Sequence, residues 1–194
     1  VGNGKIQKSS SNTGITESND CYSIAGATYG VYADKSCKEQ LATLTTDNSG
    51  STETVELKAA TYYVKETKAP KGFQLDKNVY TLTVKAGETA TLKVSDTPKV
   101  TDTLIELFKI DMETSKADPQ GNASLEGAEF VWKYYDGYYT KDNLPAEPTR
   151  TWTTKTKAEK GSDNAIHYIT RLADSYKVSG DSFYTQNGTV CLPL

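Results

Sequence analysis

The sequence predicts an all-β protein of two tandem β-sandwich domains, and three observations predict it: strand-type alternation, turn residues at hairpin spacing, and an internal repeat. Thr, Val and Tyr recur in short alternating runs, TYYVKE (61–66), VYTLTV (79–84) and TATLKV (89–94), which present apolar residues to one side of an extended chain and polar residues to the other. Turn-forming stretches separate them, DNSGS (47–51), APKG (69–72) and KAGE (85–88), at distances that suit antiparallel hairpins rather than the longer crossovers of parallel sheets. The repeat is seen in two blocks, IAGATYGVY (24–32) and LEGAEFVWK (125–133), each with a lysine sixteen residues before its first apolar residue, Lys8 before Ile24 and Lys109 before Leu125. At an offset of 101, Gly26-Ala27 falls on Gly127-Ala128, Tyr29 on Phe130 and Ile6 on Leu107.

Taken in order, the first domain (1–99) opens with a strand around KIQKS (5–9) and continues through the GATYGVY strand. It then takes in TVELKA (54–59), YYVKE (62–66), VYTLTV and TATLKVSD (89–96). SDTPKVTD (95–102) ends it, because Pro98 has no N–H to give a sheet and the stretch is polar. The second domain (100–194) starts at LIELFKID (104–111) and repeats the Gly-Ala strand. TVCLPL (189–194) matches TVELKA at an offset of 135, which predicts a long insertion at about 133–188. On that offset the counterpart of Glu66 falls near position 201, so the second domain is expected to lack its last strands here and to depend on further chain or on a second chain to complete it.

Composition narrows the function. The chain has 194 residues, a net charge of −3 and lysines scattered among acids, so it has no basic stripe for nucleic acid. No apolar run approaches the roughly 20 residues that cross a bilayer. The first residues, VGNGKIQKSSSNTG, lack the apolar core of a signal peptide. One histidine, three scattered cysteines and no Gly-rich phosphate loop leave few ways to build a hydrolase or a metal centre, and no cofactor is expected. A structural or binding protein fits best.

Three ionisable residues stand on the apolar parity of their strands. Lys8 shares a face with Ile6, Glu66 with Val64 and Tyr62, and Asp96 with Val94 and Leu92. A lysine and two acids pointing into one core must neutralise one another or react. If they react, burial favours a neutral amine and a neutral acid. Lys8 then attacks the Asp96 carboxyl carbon while protonated Glu66 binds its oxygen and shuttles protons as water leaves. The alternative is an unreacted buried ion network.

YYVKETKAPKGFQLD (62–76) resembles the Y-x-[VL]-x-E-x-x-A-P-x-G-[YF] pattern of Cna B-type domains, the SpaA-like prealbumin-type modules of Gram-positive pilins and adhesins. The two Gly-Ala blocks resemble the same family's L-x-G-A-x-F strand, and the match covers the whole first domain. The second domain matches at LIELFKID through LEGAEF and again at VSGDSFYTQNGTVCLPL (178–194). The resemblance implies an Ig-like, prealbumin-like sandwich and an isopeptide site made of Lys8, Glu66 and Asp96, with Asp96 where the family more often has Asn. It places Lys109 as the candidate nucleophile of the second domain, with its partners outside this sequence. It also implies an extracellular, cell-wall-anchored stalk or shaft segment. The anchor lies elsewhere, since NLPAEPT (143–149) does not fit a sorting signal. Partners are then neighbouring domains or pilin subunits, and the only chemistry is a single self-modification. The alternative function is a binding module that uses the insertion to grip a host protein or glycan.

Four other features complete the reading. Cys21 and Cys37 flank the GATYGVY strand and are either bridged or two thiols, and Cys191 is the odd one. Cys191 lies in a strand pattern rather than a reactive loop, which argues against a thioester. His167 reads as an ordinary strand residue. In FVWKYYDGYY (130–139), Phe130 and Trp132 alternate toward the core and Asp136-Gly137 reads as a hairpin turn, with an aromatic ligand platform that includes Trp152 as the competing reading.

Overall fold

A computed structural model describes residues 1–103 and 105–194, so Leu104, the first residue of LIELFKID, lies outside the described residues. Contacts divide the chain into Val1–Val100 with Pro193–Leu194, and Thr101–Leu192.

The first unit packs a three-stranded sheet against a four-stranded one. Its strands are β1 (Gly2–Ser10), β2 (Thr28–Tyr32), β3 (Gln40–Thr45), β4 (Val55–Leu57), β5 (Ala60–Lys68), β6 (Val79–Val84) and β7 (Thr89–Asp96), with one turn of helix, α1 (Thr13–Thr16), after β1. The sheet orders are β4-β1-β7 and β3-β2-β5-β6. Period-two alternation decides which side chains fill the space between them: Ile6, Tyr29, Val31, Val64, Leu82 and Val94 are all buried there. DNSGS forms a tight turn, closed by the Asp47 N–H on Ser51 O at 2.8 Å and by antiparallel bridging of Thr46 to Thr52. KAGE is not a hairpin turn. It carries the chain from β6, paired with β5, into the opposite sheet, where β7 runs parallel to β1 with Lys8 opposite Val94 and Ser10 opposite Asp96.

Strands β8 (Val100–Asp102), β9 (Glu106–Lys109), β10 (Glu129–Tyr134), β11 (Arg150–Lys155), β12 (Lys157–Lys160), β13 (Ile166–Arg171), β14 (Lys177–Gly180), β15 (Tyr184–Gln186) and β16 (Thr189–Pro193) follow, with β8 and β16 reaching the division between the units. They form the orders β10-β11-β14, β12-β13-β9 and β15-β16-β8. Asn187-Gly188, both at positive φ (51° and 78°), make the two-residue turn between β15 and β16. Asp136-Gly137 does not make the expected hairpin turn. Tyr134 pairs with Arg150, so β10 and β11 are joined by the whole of 135–149. The strand against β9 is β13, whereas β16 pairs with β15 and β8. TVCLPL therefore does not occupy the place beside β9 that β4 holds beside β1.

The repeated blocks build the same corner in each unit. Gly26 (φ +84°) and Gly127 (φ +82°) enter the strand through the left-handed region, which a Cβ disfavours. One buried threonine then ties each corner. Thr46 Oγ1 accepts the Ala27 N–H at 3.0 Å and donates to Ile24 O at 2.7 Å, while its carbonyl accepts the Gly26 N–H at 2.9 Å. Thr156 makes the same three bonds with Ala128, Leu125 and Gly127, at 2.9, 2.7 and 2.9 Å.

Candidate functional site

Lys8, Glu66 and Asp96 are each 1% exposed. β1 and β7 are adjacent, and Asp96 stands two residues along the ladder from the position opposite Lys8, so both point to the same face, within reach of a lysine stem. Glu66 comes from the facing sheet, where β5 sets it opposite Tyr29 of β2. Lys8 Nζ lies 3.0 Å from Glu66 Oε1 and in direct contact with Asp96 Oδ2. Its third neighbour is the Tyr29 hydroxyl, at 2.7 Å.

The electrostatics follow from burial. Removal from water pushes the Asp96 carboxyl up to about 6, against the pull of Lys8 and with a further push from the Glu66 charge. Burial, with the charges of Glu66 and Asp96, drives the Tyr29 phenol far above its ordinary range, so it stays neutral. Among the described residues no hydrogen-bond donor meets Asp96 Oδ1. The other carboxylate is better held: Glu66 Oε2 accepts the Asp76 N–H at 2.7 Å, and the Asp76 side chain takes the Tyr80 hydroxyl at 2.5 Å. An open cleft of about 440 Å³, lined by Asp76, Tyr80, Ser95 and Thr97 among others, reaches Asp96. A buried amine touching a buried, readily protonated carboxyl beside a second carboxyl has the components for amide formation.

Residues 5–98, which carry this whole site, match the model of the SpaA family, described as a prealbumin-like fold domain. The first unit thus matches a SpaA domain over nearly its whole length. Similar solved structures include the Bacillus anthracis TIE protein, with 23% identity over 89% of this chain and 31% of that one and a TM-score of 0.47. The group B streptococcus pilus 2b backbone protein has 21% identity over 50% and 41% of the two chains, with a TM-score of 0.38. A C-terminal fragment of the pilus adhesin SpaC from Lactobacillus rhamnosus GG has 16% identity over 93% and 73%, with a TM-score of 0.47. The chain thus spans about a third of the first of these structures and about two fifths of the second. No curated protein matches it.

Sequence reasoning missed two groups around the SpaA-domain triad. Tyr29 reads from sequence only as a core aromatic on the parity of Ala27 and Val31, and nothing local tells where its hydroxyl goes. The Asp76 backbone N–H sits at the end of the YYVKETKAPKGFQLD segment, and only the return of that loop brings it to Glu66. The cysteines of the SpaA domain are not bridged: Cys21, Cys37 and also Cys191 are thiols. Cys21 precedes β2 and Cys37 follows it, and the loop of Cys21 is held instead against Lys71 and Gly72, with Lys71 Nζ on Asp20 O at 2.7 Å.

In the second unit, Lys109 is half-buried on β9 with Leu107, but Ile105, expected on the same inward face, is 54% exposed. Lys109 Nζ donates to Ile110 O at 3.2 Å, and no carboxylate pairs with it among the described residues. His167 is a strand residue whose Nε2 lies 2.8 Å from Asp163 Oδ2. Among the described residues no group of three or more His, Cys, Asp or Glu side chains is placed to hold a metal. No described helix is long and apolar enough to cross a membrane.

Proposed function

We propose that the SpaA domain joins its first strand to its last through an amide between Lys8 Nζ and Asp96 Cγ, and that the chain serves as a stalk or shaft segment of a Gram-positive surface pilin or adhesin. The observation that carries this reading is the contact of Lys8 Nζ with both Glu66 and Asp96 in a site closed to solvent. Lys8 passes a proton to the carboxyl pair and its lone pair adds to Asp96 Cγ. Glu66 stabilises the tetrahedral intermediate and carries the second departing hydrogen to the leaving oxygen. One C–O bond breaks, one C–N bond forms, and the ammonium gives two of its three hydrogens to the water that leaves. The positive and negative charges cancel, so the step removes two buried charges and one of two buried carboxyl oxygens. The cleft at Asp96 offers the water a way out. Each molecule does this once, so the chain is a self-modifying structural protein and not a turnover enzyme.

The bond matters because of topology. β1 and β7 are parallel neighbours from opposite ends of the domain, so a crosslink between them takes up force applied at those ends before the ladder shears. Such a segment belongs outside the cell at the wall, with neighbouring domains or pilin subunits as partners.

The test is the intact mass of the denatured chain. The parent should weigh one water less than its sequence, and the Lys8→Ala, Glu66→Ala and Asp96→Ala forms should weigh their full sequence mass. A parent of full sequence mass overturns the proposal. The binding-module reading keeps one supporting observation, Tyr138 at 93% exposure beside exposed Tyr139 on the 135–149 loop. Trp152, at 1% exposure, is not part of any platform. Binding of a host extracellular-matrix protein that Tyr138→Ala abolishes would favour the module.

A further inference from the structure

The amine of Lys8 meets three oxygens where the chemistry of the bond uses only two. An ammonium has three N–H groups, and here they face Tyr29 Oη at 2.7 Å, Glu66 Oε1 at 3.0 Å and Asp96 Oδ2 in contact. All three are buried and come from three strands, β2, β5 and β7. We infer that Tyr29 is a positioning residue, whose hydroxyl oxygen holds one N–H of Lys8 so that the amine lone pair is aimed at the Asp96 carboxyl carbon.

The reasoning rests on the proposed amide bond and follows from counting directions about one nitrogen. When the ammonium gives its proton to Asp96, two N–H groups and one lone pair remain. With Tyr29 present, Tyr29 and Glu66 take the two hydrogens, and the lone pair falls in the vacated direction, toward Asp96. With the hydroxyl removed, the two remaining acceptors are the two carboxyl groups. The amine then satisfies its hydrogens on Glu66 and Asp96 and turns its lone pair to the apolar ring, away from the carbon it must attack.

Tyr29 is built for this task. Its backbone is fixed between Leu44 of β3 and Glu66 of β5, and its ring lies beneath Nζ with 5.2 Å to the centroid. The phenol oxygen accepts the Lys8 N–H at 2.7 Å, and the neighbouring Glu66 carboxylate is an acceptor for the phenol's own hydrogen. Neutral in its buried site, the phenol accepts the N–H without taking part in proton transfer.

The second unit supplies the control. Phe130 follows the same Gly-Ala corner and stands opposite Thr154 of β11, as Tyr29 stands opposite Leu44 of β3. A ring without a hydroxyl is thus compatible with this corner, and Tyr29→Phe is expected to fold.

The experiment starts from the full chain recovered unfolded and unbonded in urea and refolded by dilution. Far-ultraviolet circular dichroism follows folding, and intact mass, sampled over time, follows loss of water. Parent and Tyr29→Phe should fold at the same rate, while loss of water in Tyr29→Phe slows at least tenfold. Tyr62→Phe serves as the comparison: it loses another core hydroxyl, one that donates to Lys58 O at 2.9 Å, and should lose water at the parental rate. Loss of water in Tyr29→Phe within threefold of the parent overturns the inference, as does equal slowing in Tyr62→Phe. Should the Phe variant not refold, Tyr29→Met removes the same hydroxyl and is judged by the same limits. A parent that folds and never loses water overturns the amide reading itself, an outcome distinct from either.

Discussion

Both units enter their Gly-Ala strand through the same threonine-tied corner, yet they fill the core beyond it with different chemistry. In the first unit, the strand after Gly26 brings Tyr29 to Lys8, Glu66 and Asp96. In the second, it brings Phe130 and Trp132 to a pair of buried threonines: Thr170 Oγ1 lies 2.6 Å from Thr154 Oγ1, which also accepts the Trp132 indole N–H at 2.8 Å. Trp152 and Tyr176 are large aromatic side chains buried in this unit, with Trp152 packed on Tyr134, Phe183 and Tyr184. The first strand differs as well. β1 has a neighbour on each side, antiparallel β4 and parallel β7, whereas β9 has β13 alone among the described strands. The corner is therefore a folding device, indifferent to what it encloses. The proposed amide bond depends instead on a parallel neighbour that delivers a carboxyl.

If that is right, removing the carboxyl should have the largest effect. Asp96→Ala should abolish the loss of water and lower the stability of the first unit by about 4–5 kcal/mol, as expected for opening a covalent loop of this length. Urea denaturation read alongside intact mass checks it. An Asp96→Ala chain as stable as the parent would mean that the crosslink is absent or mechanically idle.

The next effect separates the buried charge from the bond. Lys8→Ala leaves Asp96 unbonded and removes the pull that holds its carboxyl down to about 6. A folded-state value above the ordinary 3.8 means that the folded form binds the proton more tightly than the unfolded form. The stability of this variant should then be greatest below about pH 4 and fall as pH rises through 6. Lys8→Ala combined with Asp96→Asn should lose that dependence. Urea midpoints for Lys8→Ala that stay the same from acid to neutral pH would contradict the burial of this acid.

The corner itself predicts equal costs in the two units. Thr46→Val and Thr156→Val each strip a backbone N–H and a backbone carbonyl of their side-chain partner, one of the two bonds buried and the other part-buried in each case, and should each cost about 2 kcal/mol. A large difference between them would break the equivalence of the two corners. Smallest of all, Gly26→Ala and Gly127→Ala meet nothing within 4 Å at the new Cβ, so only the positive φ is penalised, by about 1 kcal/mol in each unit.

Much of the site is legible in the amino-acid sequence, and the reason is local. In an extended strand the side chain's face is decided by parity alone, so Lys8 with Ile6, Glu66 with Val64 and Asp96 with Val94 all read correctly as inward. The same parity fails at Ile105, which is exposed and stands just before β9 rather than within it. Turn residues also read well as places where the chain bends and poorly as statements of what the bend connects. KAGE and Asp136-Gly137 both turn, but neither closes a hairpin, while Asn187-Gly188, which the strand pattern alone does not single out, does.

The sequence by itself determined an all-β chain, the repeat of the Gly-Ala strand, and which faces carry the lysine and the two acids, because alternation, glycine conformation and side-chain chemistry act within a few residues. Only the tertiary structure decided that β7 lies parallel to β1, that β13 and not TVCLPL lies against β9, and that the Tyr29 hydroxyl meets the Lys8 amine. Those facts depend on which distant strands pack together, and strand pairing is settled by how two whole sheets share one core.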